Sequence, residues 1–364
     1  MRIEHVEIHP ITLTLRNPIP MANGVIKSTG NVVVKLVTDD GLIGWGEGVE
    51  APSLTHQSQA DIVADLQALT PVVVGSDPLR RNELWTRLAA VRPDATTAIG
   101  ALDIAVHDLV GKALGVPVHQ LIGGMVRDRV PALTLVGSGE ASADAEKLAQ
   151  RHEAGFRWFK IKLGMASNDV ELGTLAKAVE LVGDDGVVCG DVNEGWTEAE
   201  ARAFLAQLDG RRVRFIEQPV PRSDRDALLR LAETSPVKLC ADESAGSLSA
   251  VIGFLDTAVG GVSLKLIKHG GVTGVMRGAA ICAAGGLSVN LAGKVIESSI
   301  SAAANLHCAA AMDRVDFGCS PANQGVVSDV TEEPIRVDRG VFAVPRGPGL
   351  GVDVDEALLA MLAS

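Results

Sequence analysis

Cysteine motifs, clustered basic residues and long apolar runs are all scarce in this 364-residue chain. The five cysteines are scattered, odd in number and without C-x-x-C spacing, so the sequence suggests neither a disulfide framework nor a zinc site. With no Lys/Arg run and a formal net charge of -12, the chain is not expected to bind nucleic acid. No stretch reaches the roughly 18 apolar residues of a membrane span, and the opening MRIEHVEIHPITLTL lacks the apolar core of a signal peptide. We therefore expect a reduced, cytoplasmic protein without a membrane partner.

Hydrophobic residues make up 47% of the chain, which is enough for a large core. Residues 1–125 mix two signals. NVVVKLVTDDGLIGWGEGV reads as two strands joined at Asp39-Asp40-Gly41. HQSQADIVADLQALTPVVVG and TTAIGALDIAVHDLVGKALG have helical apolar spacing and end near glycine. This order predicts a small α+β domain.

From residue 126 the pattern changes to short apolar strands that alternate with amphipathic helices as far as residue 329. Such alternation predicts a parallel sheet, and seven or eight units predict a closed barrel. Residues 330–364 are predicted to form a tail that returns to the first domain. The predicted strands are ALTLVG, FKIKLG, GVVCGDVN, RFIEQP, KLCADES, GVSLKL, LSVNLAG and a weaker VDFG.

Acidic residues stand where three consecutive strands end, namely Asp191, Glu217 and Asp242. Each follows the previous one by about 25 residues, close to the length of one βα unit. A single such acid is usually a helix cap or a ligand of loop amides. Three in register converge on the carboxyl rim of a barrel, where they repel one another unless a cation neutralises them. Oxygen ligands favour a hard divalent ion such as magnesium.

Lysines flank these acids along the chain. Lys160 and Lys162 share one face of FKIKLG because side chains two apart in a strand point the same way. A solvated strand face is the simpler explanation of K-x-K in isolation. Lys265 follows the last acidic strand, so Lys162 and Lys265 are expected on opposite sides of the metal. There Lys162 can act as a base, because positive neighbours lower the proton affinity of an ammonium group.

Taken together, the motifs resemble those of the enolase superfamily, in its muconate-lactonizing-enzyme subgroup. The resemblance covers essentially the whole chain and depends on the order of the motifs, since ADES or IEQP alone is weak. It implies a modified (β/α)7β TIM barrel under an α+β capping domain. The matching segments are DDGLIGWGEG, ALDIAVHDLVGKALGVPVHQLIGG, FKIKLG, GDVNEGW, IEQP, ADES, SLKLIKHGG and PGLGVDVDE.

The resemblance also implies a role for each matching residue. Asp191, Glu217 and Asp242 would bind Mg²⁺ or Mn²⁺. Lys162 and Lys265 would form the acid/base pair, with Lys160 beside them. Asn193 and Glu243 would support the metal ligands, and Glu297 in GKVIESS would face the substrate. A symmetric homo-oligomer, a dimer or an octamer, is implied as well.

Substrate specificity is expected from a flexible loop over Pro20–Gly30, through Met21, Asn23, Val25 and Lys27. An ordinary surface loop is the alternative, and Trp45 and Glu50 on the neighbouring loop are weaker candidates. Two family features are missing: the seventh strand, LSVNLAG, has no histidine, and DFGCSP replaces the D-x-D segment of dipeptide epimerases. Asp316 could contact a cationic substrate or simply belong to the strand end. His269 is interpreted mainly as a loop residue and His307 as a core histidine.

The expected reaction is removal of the α-proton of a small carboxylate, with the developing enediolate stabilised electrostatically. Two lysines on opposite faces suit a racemase or epimerase, and one active lysine suits a muconate-type cycloisomerase. Elimination of water by a hydroxy-acid or hydroxyproline-type dehydratase is the alternative on the same site. A metal-bound protein that binds a small molecule without catalysis is the least favoured hypothesis.

Overall fold

The computed structural model describes residues 1–21, 24–208 and 212–363. The first part of the chain is an antiparallel three-stranded sheet in the order β1-β2-β3, covered by helices. Gly41 forms the turn between β2 and β3 with a φ of +83°, which glycine adopts without steric cost. The elements are β1 Ile3–Met21, β2 Gly24–Thr38, β3 Ile43–Val49, α1 Pro52–Thr55, α2 Gln59–Val73, α3 Arg81–Val91, α4 Thr96–Leu114 and α5 Val118–Leu121.

The second part is a parallel barrel of eight strands, in which each strand pairs with the next along the chain. A parallel bridge between Ala132 and Cys319 joins the first strand of the barrel to the last. The strands are β5 Leu133–Val136, β6 Trp158–Lys162, β7 Val187–Asp191, β8 Val213–Glu217, β9 Lys238–Ala241, β10 Gly261–Leu264, β11 Ser288–Ala292 and β12 Gly318–Ser320. The last strand begins three residues later than the VDFG segment suggests.

Helices surround the barrel, and a small antiparallel pair of strands packs against its last strand, β12. This pair is β4 Arg129–Pro131 with β13 Val341–Ala343. Two 3₁₀ turns, Gly183–Asp185 and Glu243–Ala245, occur between barrel elements. The helices are α6 Ala141–Glu153, α7 Asn168–Val182, α8 Glu198–Leu205, α9 Arg225–Thr234, α10 Leu248–Ile252, α11 Leu266–His269, α12 Gly271–Gly285, α13 Ser299–Ala311 and α14 Glu356–Met361.

The lumen of the barrel is filled by side chains, with apolar residues at the amino end of the strands. Phe215 and Phe317 stack there with ring centroids 4.1 Å apart, and Leu133, Cys189 and Cys240 belong to the same buried cluster. A filled lumen confines polar chemistry to the carboxyl end of the barrel, where the loops open.

The C-terminal segment contacts the first part of the chain. Lys35 of β2 pairs with Glu356 of α14 at 2.9 Å, and the Leu350 amide donates to Asp108 of α4 at 2.8 Å. Among the described residues, no helix is both long enough and apolar enough to cross a membrane.

The prediction of a flexible loop over Pro20–Gly30 is wrong. The described part of this segment belongs to the β1–β2 hairpin, in which Ile19 pairs with Ile26 and Pro20 with Val25. Val25, Ile26 and Thr29 are β-branched, which favours extended pairing over an irregular loop.

Candidate active site

Acidic side chains stand at the carboxyl ends of three adjacent barrel strands. Asp191 ends β7 and Glu217 ends β8 directly beside it, while Asp242 follows the last residue of β9. All three are buried. The strand ends that the sequence indicates separately therefore lie side by side on one rim of the barrel.

The two lysines expected to exchange protons lie across the barrel from each other. Lys162 ends β6, and Lys265 directly follows β10. Three strands separate β6 from β10 in either direction around the closed sheet. The Lys162 ammonium donates to Asp191 at 2.8 Å, and that of Lys265 donates to Asp242 at 2.5 Å. The two ammonium groups thus approach the acids from opposite sides.

A polar layer lies just below the rim, centred on Glu217. Lys160, on the same face of β6 as Lys162, donates to one Glu217 oxygen. The Ser263 hydroxyl donates to the other at 2.6 Å, and the Asn290 amide lies 3.3 Å from it. Glu217 is thus fixed from three strands, which orients its carboxylate relative to the rim.

Burial and charge act against each other on these acids. Burial alone raises the pKa of Asp242, but Lys265 and Lys268 outweigh it and hold the pKa well below its usual range. Asp191 likewise has a lowered pKa, because Lys162 and Lys160 outweigh burial. For Glu217 burial dominates, assisted by Asp191 and Asp242, so its pKa is raised despite Lys160. The carboxylates crowd one another enough to need compensating positive charge.

Burial and charge have the opposite effects on the pKa values of the neighbouring lysines. Burial by itself lowers the pKa of Lys160 and of Lys265, but the neighbouring carboxylates raise both pKa values above the ordinary range. Within the described ranges, no three His, Cys, Asp or Glu side chains converge on one point. Each rim acid instead turns toward an ammonium group.

Asn193 and Glu243 adjoin the three acids as expected. Asn193 accepts a hydrogen bond from Lys162 and donates to Glu243 at 3.3 Å. Burial, followed by the negative charge of Asp242, raises the pKa of Glu243 to about 7. One buried Glu243 oxygen has no hydrogen-bond partner among the described residues, so this acid retains a free acceptor beside the rim.

Lys268, Lys294, Ser263 and Asn290 also belong to the site, although the sequence reasoning did not select them. Lys268 donates to Asp242 at 2.7 Å and to the Ser263 carbonyl at 2.9 Å. The K-x-x-K spacing of Lys265 and Lys268 could have indicated that both lysines contact Asp242. Residues three apart lie on one side of a helix, and a short helix directly follows β10. Ser263 and Asn290 were readable as polar residues inside apolar strands.

Glu297 lies in the loop after β11, with its oxygens directed at protein groups. It accepts hydrogen bonds from the Ala322 amide at 2.8 Å and the Lys294 amide at 3.3 Å. With few charged neighbours, burial raises the pKa of Glu297 to about 8. Its contact with substrate stays a prediction.

The predicted contact of Asp316 with substrate is not compatible with its position. The Asp316 carboxylate accepts a hydrogen bond from the hydroxyl of Ser288, the first residue of β11, at 2.7 Å. Asp316 therefore lies at the amino end of the barrel, opposite the rim that carries the acids. The segment DFGCSP misled because its strand begins at Gly318, after the aspartate.

The hairpin residues expected to select substrate are partly described. Val25 and Lys27 are exposed near the hairpin tip, Met21 is the last residue of β1, and Asn23 lies outside the described residues. Their roles stay predictions.

Four further residues mentioned from the sequence have structural contacts. Glu50 accepts from the Gly30 amide at 2.7 Å, and Trp45 is buried. His307 is a core residue of α13, bonded to the Leu350 carbonyl at 3.0 Å. His269 is buried in α11, with its Nδ1 3.1 Å from the Lys265 carbonyl.

A closed parallel barrel with a capping sheet, and with acids and lysines at its carboxyl rim, defines a barrel protein of the enolase type. The family model described as mandelate racemase / muconate lactonizing enzyme, N-terminal domain, matches residues 3–123. The model described as enolase C-terminal domain-like matches residues 143–358. The chain belongs to this family of the enolase superfamily and is an isomerase.

Relatives with cycloisomerase and racemase activities align over almost the whole chain. A chloromuconate cycloisomerase from Delftia acidovorans is 34% identical and covers 98% of this chain and 97% of its own. The structure of 2-chloromuconate cycloisomerase from Rhodococcus opacus matches with a TM-score of 0.93 at 29% identity, covering 100% of both chains. The N-succinyl Arg/Lys racemase from Bacillus cereus has the same TM-score at 28% identity, covering 100% of this chain and 98% of its own.

Proposed function

We propose that the protein is a divalent-metal-dependent isomerase that removes the proton next to the carboxylate of a small acid. The observation that carries this proposal is the placement of Lys162 and Lys265 on diametrically opposite strands, each bonded to a rim acid. A substrate between them presents one face to each lysine, so one face can lose a proton while the other is protonated.

The donor set at the rim fits a hard divalent cation. Asp191, Glu217 and Asp242 offer only carboxylate oxygens, and the free Glu243 oxygen lies beside them. We propose that these three acids hold Mg²⁺ or Mn²⁺, which prefer such ligands. When bound, the ion would acidify the α-proton of the substrate by drawing negative charge onto its carboxylate.

Lys162 and Lys265 move the proton in this proposal. A lysine accepts a proton only as the neutral amine, and the Asp242 charge now raises the pKa of Lys265. With Asp242 bound to a cation, its effect on the Lys265 pKa would be reduced, because the carboxylate would no longer face the ammonium alone. Lys268 bonds the Asp242 oxygen that does not face Lys265, and Lys160 bonds one oxygen of Glu217. Both are proposed to orient these carboxylates rather than to carry the proton.

Two outcomes share the same enediolate. In racemisation or epimerisation one lysine removes the α-proton and the opposite lysine returns a proton to the other face. In cycloisomerisation an internal carboxylate oxygen adds to a double bond of the substrate, and one lysine then donates a proton to the α-carbon of the resulting enediolate. The R. opacus and B. cereus relatives represent these two outcomes. Their similar identities to this chain, 29% and 28%, favour neither.

Proton NMR in deuterated water with Mg²⁺ tests the proposal on pooled acids, including N-acyl amino acids, dipeptides, hydroxy acids and muconates. We expect deuterium at the α-position of a recovered acid, or a lactone product. Lys162→Ala should reduce exchange at least about 100-fold, the lower range for loss of a general base. Lys177→Ala, at an exposed pair on α7, is the matched control. Unchanged exchange in the Lys162 variant would overturn the role of Lys162.

Cytoplasmic location and assembly as a homo-oligomer stay predictions. The burial of all five cysteines, none of them in a disulfide, supports the expectation of a reducing environment.

A further inference from the structure

Lys294 is a charged residue of the rim that the reaction above does not use. It lies in the loop directly after β11, two residues beyond the last residue of that strand. Its side chain is half-buried. Among the residues that the structure describes, its ammonium has no ion pair within 4.0 Å and no hydrogen bond, whereas Lys160, Lys162, Lys265 and Lys268 each bond a carboxylate.

The loop that carries Lys294 is held in one conformation. Ile296 has a φ of +66°, which is strained for a β-branched residue. Its carbonyl accepts a hydrogen bond from the Asn31 amide of the capping domain at 3.0 Å. Glu297 accepts the Lys294 amide, and a Cβ at Gly293 would lie 2.8 Å from the Glu297 carboxyl carbon. Contacts from both parts of the chain thus fix where the side chain begins.

Charges of both signs surround Lys294, and the strongest of them is the positive charge of Lys265. Burial, followed by the charge of Lys265, lowers the pKa of Lys294 to about 8, and Lys162 contributes in the same direction. Glu50 and Asp242 oppose this effect without forming an ion pair with it. Most of the Lys294 population remains protonated at neutral pH, so the site has an ammonium without a partner near both proton-transfer lysines.

A cation bound at the rim would add positive charge near Lys294 without giving it a carboxylate partner. If Asp191 and Asp242 turn to the cation, Lys162 and Lys265 lose their present partners while Lys294 still has none. One substrate carboxylate at the cation leaves Lys294 uncompensated, and an unpaired, half-buried charge is unfavourable. A second negative group on the substrate would resolve this.

We propose that Lys294 is a specificity-determining residue that binds the second carboxylate of a dicarboxylic acid substrate. This inference rests on the proposed function, which supplies the position of the first carboxylate.

Calorimetric binding in saturating Mg²⁺ tests the inference without requiring turnover. The probes are three diacids, succinate, glutarate and cis,cis-muconate, each paired with its own monoamide, which has nearly the same shape and one charge fewer. The wild-type protein should bind at least one diacid about 10- to 100-fold more tightly than its monoamide, the range of one charge-assisted hydrogen bond. Lys294→Met should reduce the ratio to within about twofold, while Lys294→Arg should retain it.

Lys177→Met on α7 is the matched control for loss of a lysine, and thermal unfolding checks that each variant folds. A wild-type protein with no diacid preference for any pair, or a Lys294→Met protein that keeps the preference, would overturn the inference. Proton exchange is followed separately. A Lys294-dependent preference without exchange would remove the proposed chemistry alone, whereas exchange of monocarboxylates unaffected by Lys294→Met would remove this inference alone.

Discussion

The pKa values of buried carboxylates in this protein shift in opposite directions, depending on their immediate neighbours. Asp242 contacts two lysines, which lower its pKa although burial raises it. Glu297 receives hydrogen bonds from the amides of Ala322 and Lys294 and from Asn305, and burial raises its pKa to about 8. Neutral donors compensate a charge less well than ammonium groups do. Glu297 is consequently mostly protonated at neutral pH.

The raised pKa of Glu297 predicts a pH-dependent stability. The unfolded carboxyl titrates near the ordinary 4.5 and the folded one near 8, so between these values the folded state binds more protons. The free energy of unfolding should therefore fall as pH rises through this window, by at most about 1.4 kcal/mol per pH unit. Glu297→Gln should remove this contribution.

Urea unfolding of the wild-type and Glu297→Gln proteins from pH 5 to 8 measures the effect. The difference in unfolding free energy should shift in favour of the variant as pH rises. Glu4→Gln, at an exposed acid of β1, is the control. A pH-independent difference between wild type and Glu297→Gln would contradict the assignment.

At the scale of elements, β3 joins the two parts of the chain because its two faces differ. Gly44, Gly46 and Gly48 occupy one face, and Cβ atoms at Gly44 and Gly46 would run into the backbone of α4. The opposite face carries Glu47, which accepts hydrogen bonds from the Ser298 amide at 3.0 Å and hydroxyl at 2.8 Å, at the start of α13. The glycines let the strand lie directly on one helix while Glu47 caps another.

Gly46→Ala should strongly destabilise the protein. The added Cβ would lie 2.8 Å from the Ala105 amide nitrogen and closer still to the Ala101 carbonyl oxygen, and backbone atoms cannot turn aside. We expect a loss of about 3 kcal/mol or more, at the upper end for overpacking.

Gly173→Ala is the control, because Gly173 lies in helix α7 and an added Cβ would have no described atom within 4 Å apart from the adjoining backbone of its own helix. It should stabilise by roughly 0.5 to 1 kcal/mol. Chemical unfolding measures both, and equal stabilities of the two variants would be inconsistent with the close approach of β3 to α4.

At the scale of the whole molecule, helix starts in the barrel are capped by acids from the first part of the chain. Asp103 of α4 accepts from the Thr273 amide at 2.8 Å and hydroxyl at 2.6 Å, just inside α12, as Glu47 does at α13. These bonds hold the capping sheet over the carboxyl rim, so the position of the sheet depends on contacts that also stabilise the fold.

Metal binding at the rim should therefore stabilise the whole fold. Mg²⁺ at about 100 times its dissociation constant should raise the free energy of unfolding by about 2.7 kcal/mol, and a chelator should reverse the gain. Asp191→Asn should abolish most of the gain by removing one ligand charge.

Asp184→Asn, at an exposed acid of a 3₁₀ turn, should leave the gain intact. Thermal unfolding with and without Mg²⁺ or Mn²⁺ checks this. A melting temperature insensitive to both ions would count against the three-acid metal site.

The local sequence pattern by itself determined the strand ends, the turn and most of the candidate site residues of this protein. Apolar runs showed where the three strands that carry the acids end. Because parallel strands in a closed barrel place these ends on one rim, Asp191, Glu217 and Asp242 could be grouped before any coordinates. Lys160 and Lys162 followed from the two-residue period of a strand, and the D-D-G turn and the helices of the first part from short-range signals.

Only the tertiary structure decided which other side chains reach the same space. Lys268 and Lys294 lie on a short helix and a loop, whose directions depend on contacts such as that of Asn31 with Ile296. Asp316 was misplaced because position near a strand does not reveal which end of the barrel a residue occupies. Strand periodicity is a local property of the backbone, whereas the convergence of loops depends on the packing of the whole chain.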